Sequence, residues 1–221
     1  MTHIFLLIPY FVLSLSDNEN LNSYFERIKS PKIDIPALMK LSEKDTVTLL
    51  RSCTDLEGKR SYLSISATQV NADKEKVWKV LLEPEKLQSA IPSLKKVKVL
   101  RKLSEDIYEI EFEVEVNIIS VIRPTVRYIA VSRIEDGKIT SFVKEGENKG
   151  SWRIWQVYES EKDKTLLIFV MCEYVRNIPI ASKIFSSNPY IELGVVSSSS
   201  LIPVISLKKF IEENQNESSE R

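Results

Sequence analysis

The sequence predicts an α+β protein: one antiparallel sheet of about seven strands, two short helices after its first strand, and a long helix at the C-terminus. Three observations lead there. Tyr108-Glu109-Ile110-Glu111-Phe112-Glu113-Val114-Glu115-Val116 alternates apolar and acidic residues strictly. A strand turns such a pattern into one dry face and one anionic face, whereas a helix gets no continuous apolar stripe from it. From Thr125 to Tyr174, strand-like segments follow one another without a helical pattern. After Asn188-Pro189, the residues Leu201, Val204, Ile205, Leu207 and Ile211 recur at helical spacing.

The bulk numbers narrow the function classes. The chain has 221 residues, 43% of them hydrophobic, with 31 basic and 31 acidic side chains. Zero net charge gives no long-range attraction to a polyanion, so nucleic acid is not an expected partner. Residues 1–16 carry no Lys, Arg, Asp or Glu, and an apolar run extends from Ile4 to Leu13. That run is too short to span a bilayer as a helix but suits the core of a signal peptide, with Ser14 and Ser16 as a small-x-small cleavage pattern. The expectation is export to a periplasm or the exterior, with residues 1–16 removed. A retained membrane-associating anchor, or a buried N-terminal element of a cytoplasmic protein, is the alternative. No other segment reads as apolar enough to cross a membrane.

His3 is the only histidine, and it lies in the segment expected to be removed. Ser-His-Asp and Cys-His catalysis and His-ligated metal sites are thereby excluded from the mature chain. No catalytic set, metal site or cofactor is expected. Cys53 and Cys172 belong to no metal or redox motif. In an exported protein they can pair, but two buried free thiols is the plainer expectation.

Taken in order, residues 17–57 read as a polar N-terminal extension containing a short helix at Leu21–Ile28 and a strand at Asp45–Ser52. Gly58 marks a turn, and a strand from Ser61 to Val70 follows. Asn71 or Asp73 can cap a helix in which Val77, Trp78 and Leu81 share a face. Pro84 ends that helix and starts another, to Ala90. The next segment, Leu94 to Leu103, is strongly basic. It hairpins into the alternating strand and sets Lys96, Lys98 and Lys102 across from the glutamates, where opposite charges stabilise each other by a few tenths to about 1 kcal/mol. Asp136-Gly137 is a strong hairpin signal between strands. Thr165 to Tyr174 is apolar on both faces, as a strand covered from two sides would be. A short helix spans Ile178 to Phe185, and the last helix reaches Asn214, bent near Gly194, Ser197–Ser200 and Pro203. Residues 215–221 are a polar tail.

This order resembles the START-like (SRPBCC) helix-grip superfamily, which includes polyketide cyclases, coenzyme Q-binding proteins, plant allergens and lipid-transfer domains. Val70-Asn-Ala-Asp-Lys-Glu-Lys-Val-Trp78 is similar to the family's "small-apolar-x-x-x-V-W" lead into its first helix. Leu82-Glu-Pro-Glu-Lys-Leu87, continuing through Ile91-Pro92 to Val97, is similar to its "dpeklpewlP…v" passage. Gly150-Ser-Trp-Arg-Ile154 with Lys164-Thr-Leu resembles its paired late strands. The resemblance covers about residues 60–213, and it sets a ligand-binding domain at 58–214.

The resemblance implies a curved sheet gripping the last helix, with a ligand cavity between them. Val97, Val99, Tyr108, Ile110, Phe112, Val114, Val126, Tyr128, Ile168 and Val170 are then expected to face the cavity. Val195, Val196, Val204 and Ile205 would form the helical lid. Arg123, Arg127, Arg153, Gln156, Glu173 and Tyr174 are the polar candidates. Glu173 stands out in an apolar strand: buried alone its carboxyl would be raised into a useful range, while an ion pair with Arg153 is the plainer reading. Such a cavity suits a lipid, an isoprenoid or quinone, or a polyketide-like molecule. The expected protein is a monomeric carrier of that ligand, touching membranes transiently and catalysing nothing. A cyclase- or aldolase-like enzyme using Arg, Tyr and Glu, and an interaction module with a closed core, remain open.

Overall fold

A computed structural model describes residues 21–119, 121–161, 163–178 and 181–219, with side chains to residue 214. The N-terminal segment read as a signal peptide, with His3, lies outside the described residues. The architecture is the expected helix-grip arrangement, with an eight-stranded antiparallel sheet in the order β1-β2-β8-β7-β6-β5-β4-β3. The strands are β1 (Val47–Thr54), β2 (Arg60–Val70), β3 (Leu94–Lys102), β4 (Ile107–Glu115), β5 (Thr125–Glu135), β6 (Lys138–Gly146), β7 (Trp152–Glu161) and β8 (Lys164–Glu173). Helix α1 (Ile35–Leu41) precedes them, α2 (Lys74–Leu82) and α3 (Pro84–Ala90) follow β2, and α4 (Ala181–Ser187) and α5 (Pro189–Ser219) end the chain. The eighth strand is β1: it lies in the stretch read as an extension, yet pairs with β2 from Val47↔Ala67 to Thr54↔Arg60.

Helix starts follow local chemistry. Asp73 accepts a hydrogen bond from the Lys76 amide and caps α2, while Pro84 sits in the first turn of α3. The long helix passes through Pro203 and extends to Ser219, beyond the expected end at Asn214. The segment Pro189–Asn214 is also long and apolar enough to cross a membrane by length and composition, which the sequence reading did not anticipate. Here it lies along the sheet.

Each face of the sheet has its own cover. On β2, Ser64 and Ser66 turn toward α5, where Ser200 shares its hydroxyl with both at 2.5 and 2.7 Å. The serine run thus lets the helix approach the sheet closely while these buried hydroxyls find partners. Leu63, Ile65 and Ala67 turn the other way, and with Ile168, Val170 and Ile154 they pack under Phe25, Ile28 and Leu38 of the N-terminal segment. The extension is therefore the cover of the sheet's outer face.

Two expectations are corrected here. Cys53 and Cys172 are joined in a disulfide, not left as free thiols, because β1 and β8 flank β2 and bring their Cα atoms to 6.3 Å. The glutamate face of β4 is not wet throughout. Glu111, paired with Lys96 at 2.6 Å, is half-exposed, but Glu109 is buried, with Arg101 at 2.7 Å and Lys144 at 3.7 Å. A bulge between Val99 and Arg101 sets Arg101 opposite Glu109, and Lys102 lies over the Tyr108 ring instead.

Candidate functional site

A cavity of about 760 Å³ lies between the inner face of β3–β8, helices α2 and α3, and the middle of α5. Its size falls in the range of small-molecule sites. Val97, Val99, Tyr108, Ile110, Phe112, Val114, Val126 and Tyr128 all line it, the facing that the resemblance implies. Leu82, Val99 and Ile202 line it too and are 39–42% exposed, so the cavity has an apolar margin open to solvent.

One strand is turned over relative to expectation. Phe169 and Met171 of β8 face the cavity, while Ile168 and Val170 face the outer layer. Because β8 is apolar on both sides, its pattern does not say which face is which. The position of Glu173 does: two-residue periodicity carries the inner face from Glu173 back to Met171 and Phe169.

The helical lid also differs. Of the described part of α5, Ser198, Ser199, Ile202 and Pro203 line the cavity, and the expected lid residues do not. Val204 points at the sheet with Ser200, Leu207 and Ile211, Val195 and Val196 pack with Ala181 and Phe185, and Ile205 is exposed. The broad apolar stripe marks the helix face packed on the sheet, which is not the face bordering the cavity. Pro203 has no N–H to give the Ser199 carbonyl, so the cavity-facing turn lacks one helical hydrogen bond.

The polar end of the cavity is one connected cluster. Arg153 on β7 donates through Nη2 to Glu173 Oε1 at 2.9 Å and through Nη1 to the Tyr128 hydroxyl, and its guanidinium lies 4.4 Å from the Tyr128 ring centroid. Asn148 Nδ2 donates to the same Glu173 oxygen. Burial pushes the Tyr128 phenol above its ordinary value. Burial works against the Arg153 charge, but Tyr128 and Glu173 outweigh it and hold the guanidinium protonated. Arg123 and Arg127 are exposed, the latter paired with Glu113 at 3.0 Å, and neither lines the cavity. Tyr174 lies outside it beneath Lys59, and Gln156 faces away from it.

Asn148 is the functional candidate that sequence reading missed. It is buried in the loop between β6 and β7. Gly146 shapes that loop, at φ +109° with the position of a Cβ only 2.3 Å from the Arg127 carbonyl oxygen. No side chain fits there. Gly146 and Gly150 bracketing Asn148 were the available signal.

The family model of CoxG, a component of carbon monoxide dehydrogenase, matches residues 67–153. No curated protein matches in sequence. Among solved structures, the Zhui aromatase/cyclase from Streptomyces sp. R1128 is similar at TM-score 0.55 and 12% identity, over 77% of this chain and 96% of that one. The lipid transfer and protein localization domain of human StarD13 is similar at TM-score 0.52 and 14% identity, over 83% and 98%. A START superfamily protein from Mycobacterium smegmatis follows at TM-score 0.50 and 14% identity, over 69% and 98%. The chain has the START-like helix-grip fold.

Proposed function

We propose that this protein binds a hydrophobic small molecule (a lipid, an isoprenoid or quinone, or a polyketide-like compound) in the cavity and carries it unchanged. The observation that carries this reading is the cavity itself, about 760 Å³ walled mainly by apolar side chains. A core filled for packing alone leaves few voids larger than a water molecule, so the space argues for an occupant and against a closed interaction module. Burying an apolar ligand there at roughly 25 cal/mol per Å² supplies the affinity. The names of two structural neighbours, an aromatase/cyclase and a lipid transfer domain, fit a fold used for bulky apolar molecules.

A second reading, cyclisation or aldol chemistry by the Arg-Tyr-Glu cluster, draws on the same side chains. It is weaker because Tyr128 is shifted up and Arg153 is held charged, so neither releases a proton near neutral pH. The Cys53–Cys172 disulfide supports residence in an oxidising compartment, in keeping with export. The protein acts as a monomer, with Leu82, Val99 and Ile202 as the surface that meets a membrane transiently.

Gentle purification followed by native and denaturing mass spectrometry tests the proposal. A stoichiometric apolar compound, recovered chemically unchanged, is the expected result. A clean apo mass with no uptake of fluorescent lipids or quinones would overturn it.

A further inference from the structure

The cluster at the cavity's deep end sets one guanidinium against one carboxyl group. Among the described residues, two cations line the cavity, and each has a carboxylate partner: Arg153 with Glu173 at 2.9 Å and Lys95 with Glu115 at 3.6 Å. An anionic head group placed there meets Glu173 as well as Arg153, so the guanidinium offers little net attraction for it. A cationic head group meets the guanidinium just as directly.

Two polar atoms in the cluster nonetheless lack a partner among the described residues. Asn148 is 1% exposed and lines the cavity, and its Oδ1 accepts no hydrogen bond from them; Arg153 Nε–H, also buried, donates none to them. The amide orientation is fixed, because turning it over would set Oδ1 against the Glu173 carboxylate that Nδ2 now serves. Arg153 and Asn148 both donate to one and the same oxygen, Glu173 Oε1, which brings the two side chains together at the cluster. Buried unpaired groups of this kind are costly unless something completes them.

We infer that the cavity's inner end recognises an uncharged, hydrogen-bonding head group — an alcohol or phenol hydroxyl, which takes the Arg153 Nε–H and gives its own proton to Asn148 Oδ1. This rests on the carrier reading and specifies its ligand as a neutral amphiphile. Because the polar cluster is deep and the margin at Leu82, Val99 and Ile202 is apolar, the ligand lies head inward with its tail toward the opening.

Binding of 4-nonylphenol and of 4-nonylbenzoate, matched in tail and ring, tests this by titration calorimetry at neutral pH. The phenol is expected to bind at least about tenfold more tightly than the benzoate, a gap of roughly 1.4 kcal/mol. Asn148→Ala is expected to weaken the phenol about fivefold and so to narrow its advantage over the benzoate. The selectivity of the unaltered protein stands as a test whether or not the variant folds. Equal or tighter benzoate binding overturns the head-group assignment and leaves the carrier reading intact. Binding of neither overturns both.

Discussion

Arg153 Nη2 and Glu173 Oε1 meet at 2.9 Å on adjacent strands β7 and β8, both side chains pointing into the cavity. The pair is mostly desolvated, with side-chain exposures of 17% and 6%. Its members depend on each other more than the pair supports the fold. Glu173→Ala leaves a buried guanidinium without its counter-charge, and a loss of about 3 kcal/mol in urea unfolding is expected. Replacing both residues together, as Arg153→Met with Glu173→Leu, should cost less than that single change. A double variant as damaged as Glu173→Ala would contradict this account.

Tyr128 gives the site a pH signature. Burial raises its phenol above the ordinary value, so the folded state resists ionisation more than the unfolded state does. Its contribution to stability is complete below about pH 10, the unfolded value, and is lost as pH rises from there through the higher folded value. Tyr128→Phe removes that titration. It starts less stable, because Arg153 loses an acceptor, but its urea midpoint should fall less steeply as pH rises above about 10.

The two faces of β8 predict separable phenotypes. Ile168 is fully buried on the outer face, and Ile168→Ala should cost about 2–4 kcal/mol while ligand affinity per folded molecule stays the same. Phe169 stacks on Trp155 at 4.0 Å and lines the cavity, so Phe169→Ala should change ligand affinity as well as stability. Denaturation and probe binding measured on both variants check the assignment.

The disulfide closes a sequence separation of 119 residues. Cys53→Ser with Cys172→Ser, or reduction with dithiothreitol, should lower unfolding free energy by about 2–4 kcal/mol. Equal denaturation midpoints with and without reductant would contradict a structural role for the bond.

How much of this was legible beforehand depends on how each residue type encodes its surroundings. Alternation sets Tyr108, Ile110, Phe112 and Val114 on one dry face, because only one side of β4 is apolar, and the family resemblance turns that face to the cavity they line. On β8 both sides are apolar, so the pattern does not separate the outward Ile168 and Val170 from the inward Phe169 and Met171. The same ambiguity misled the reading of α5, where Val204 serves the sheet and the small Ser198 and Ser199 border the cavity. The cover formed by residues 21–41 reads as an appendage because its partners, such as Phe142, lie more than a hundred residues away. Asn148 was hidden for another reason: a loop asparagine acquires its meaning from the pocket into which two positive-φ glycines aim it.

The central claim is that the cavity holds a ligand. Ala130 lines it and is buried, so Ala130→Trp fills its interior with little change to the surface. Fluorescence titration with a long-chain fluorescent alcohol should show one-to-one binding to the unaltered protein. Affinity should fall at least about tenfold, roughly 1.4 kcal/mol, in a folded Ala130→Trp variant. Equal binding by both would place the ligand elsewhere, and no binding by either would contradict the account.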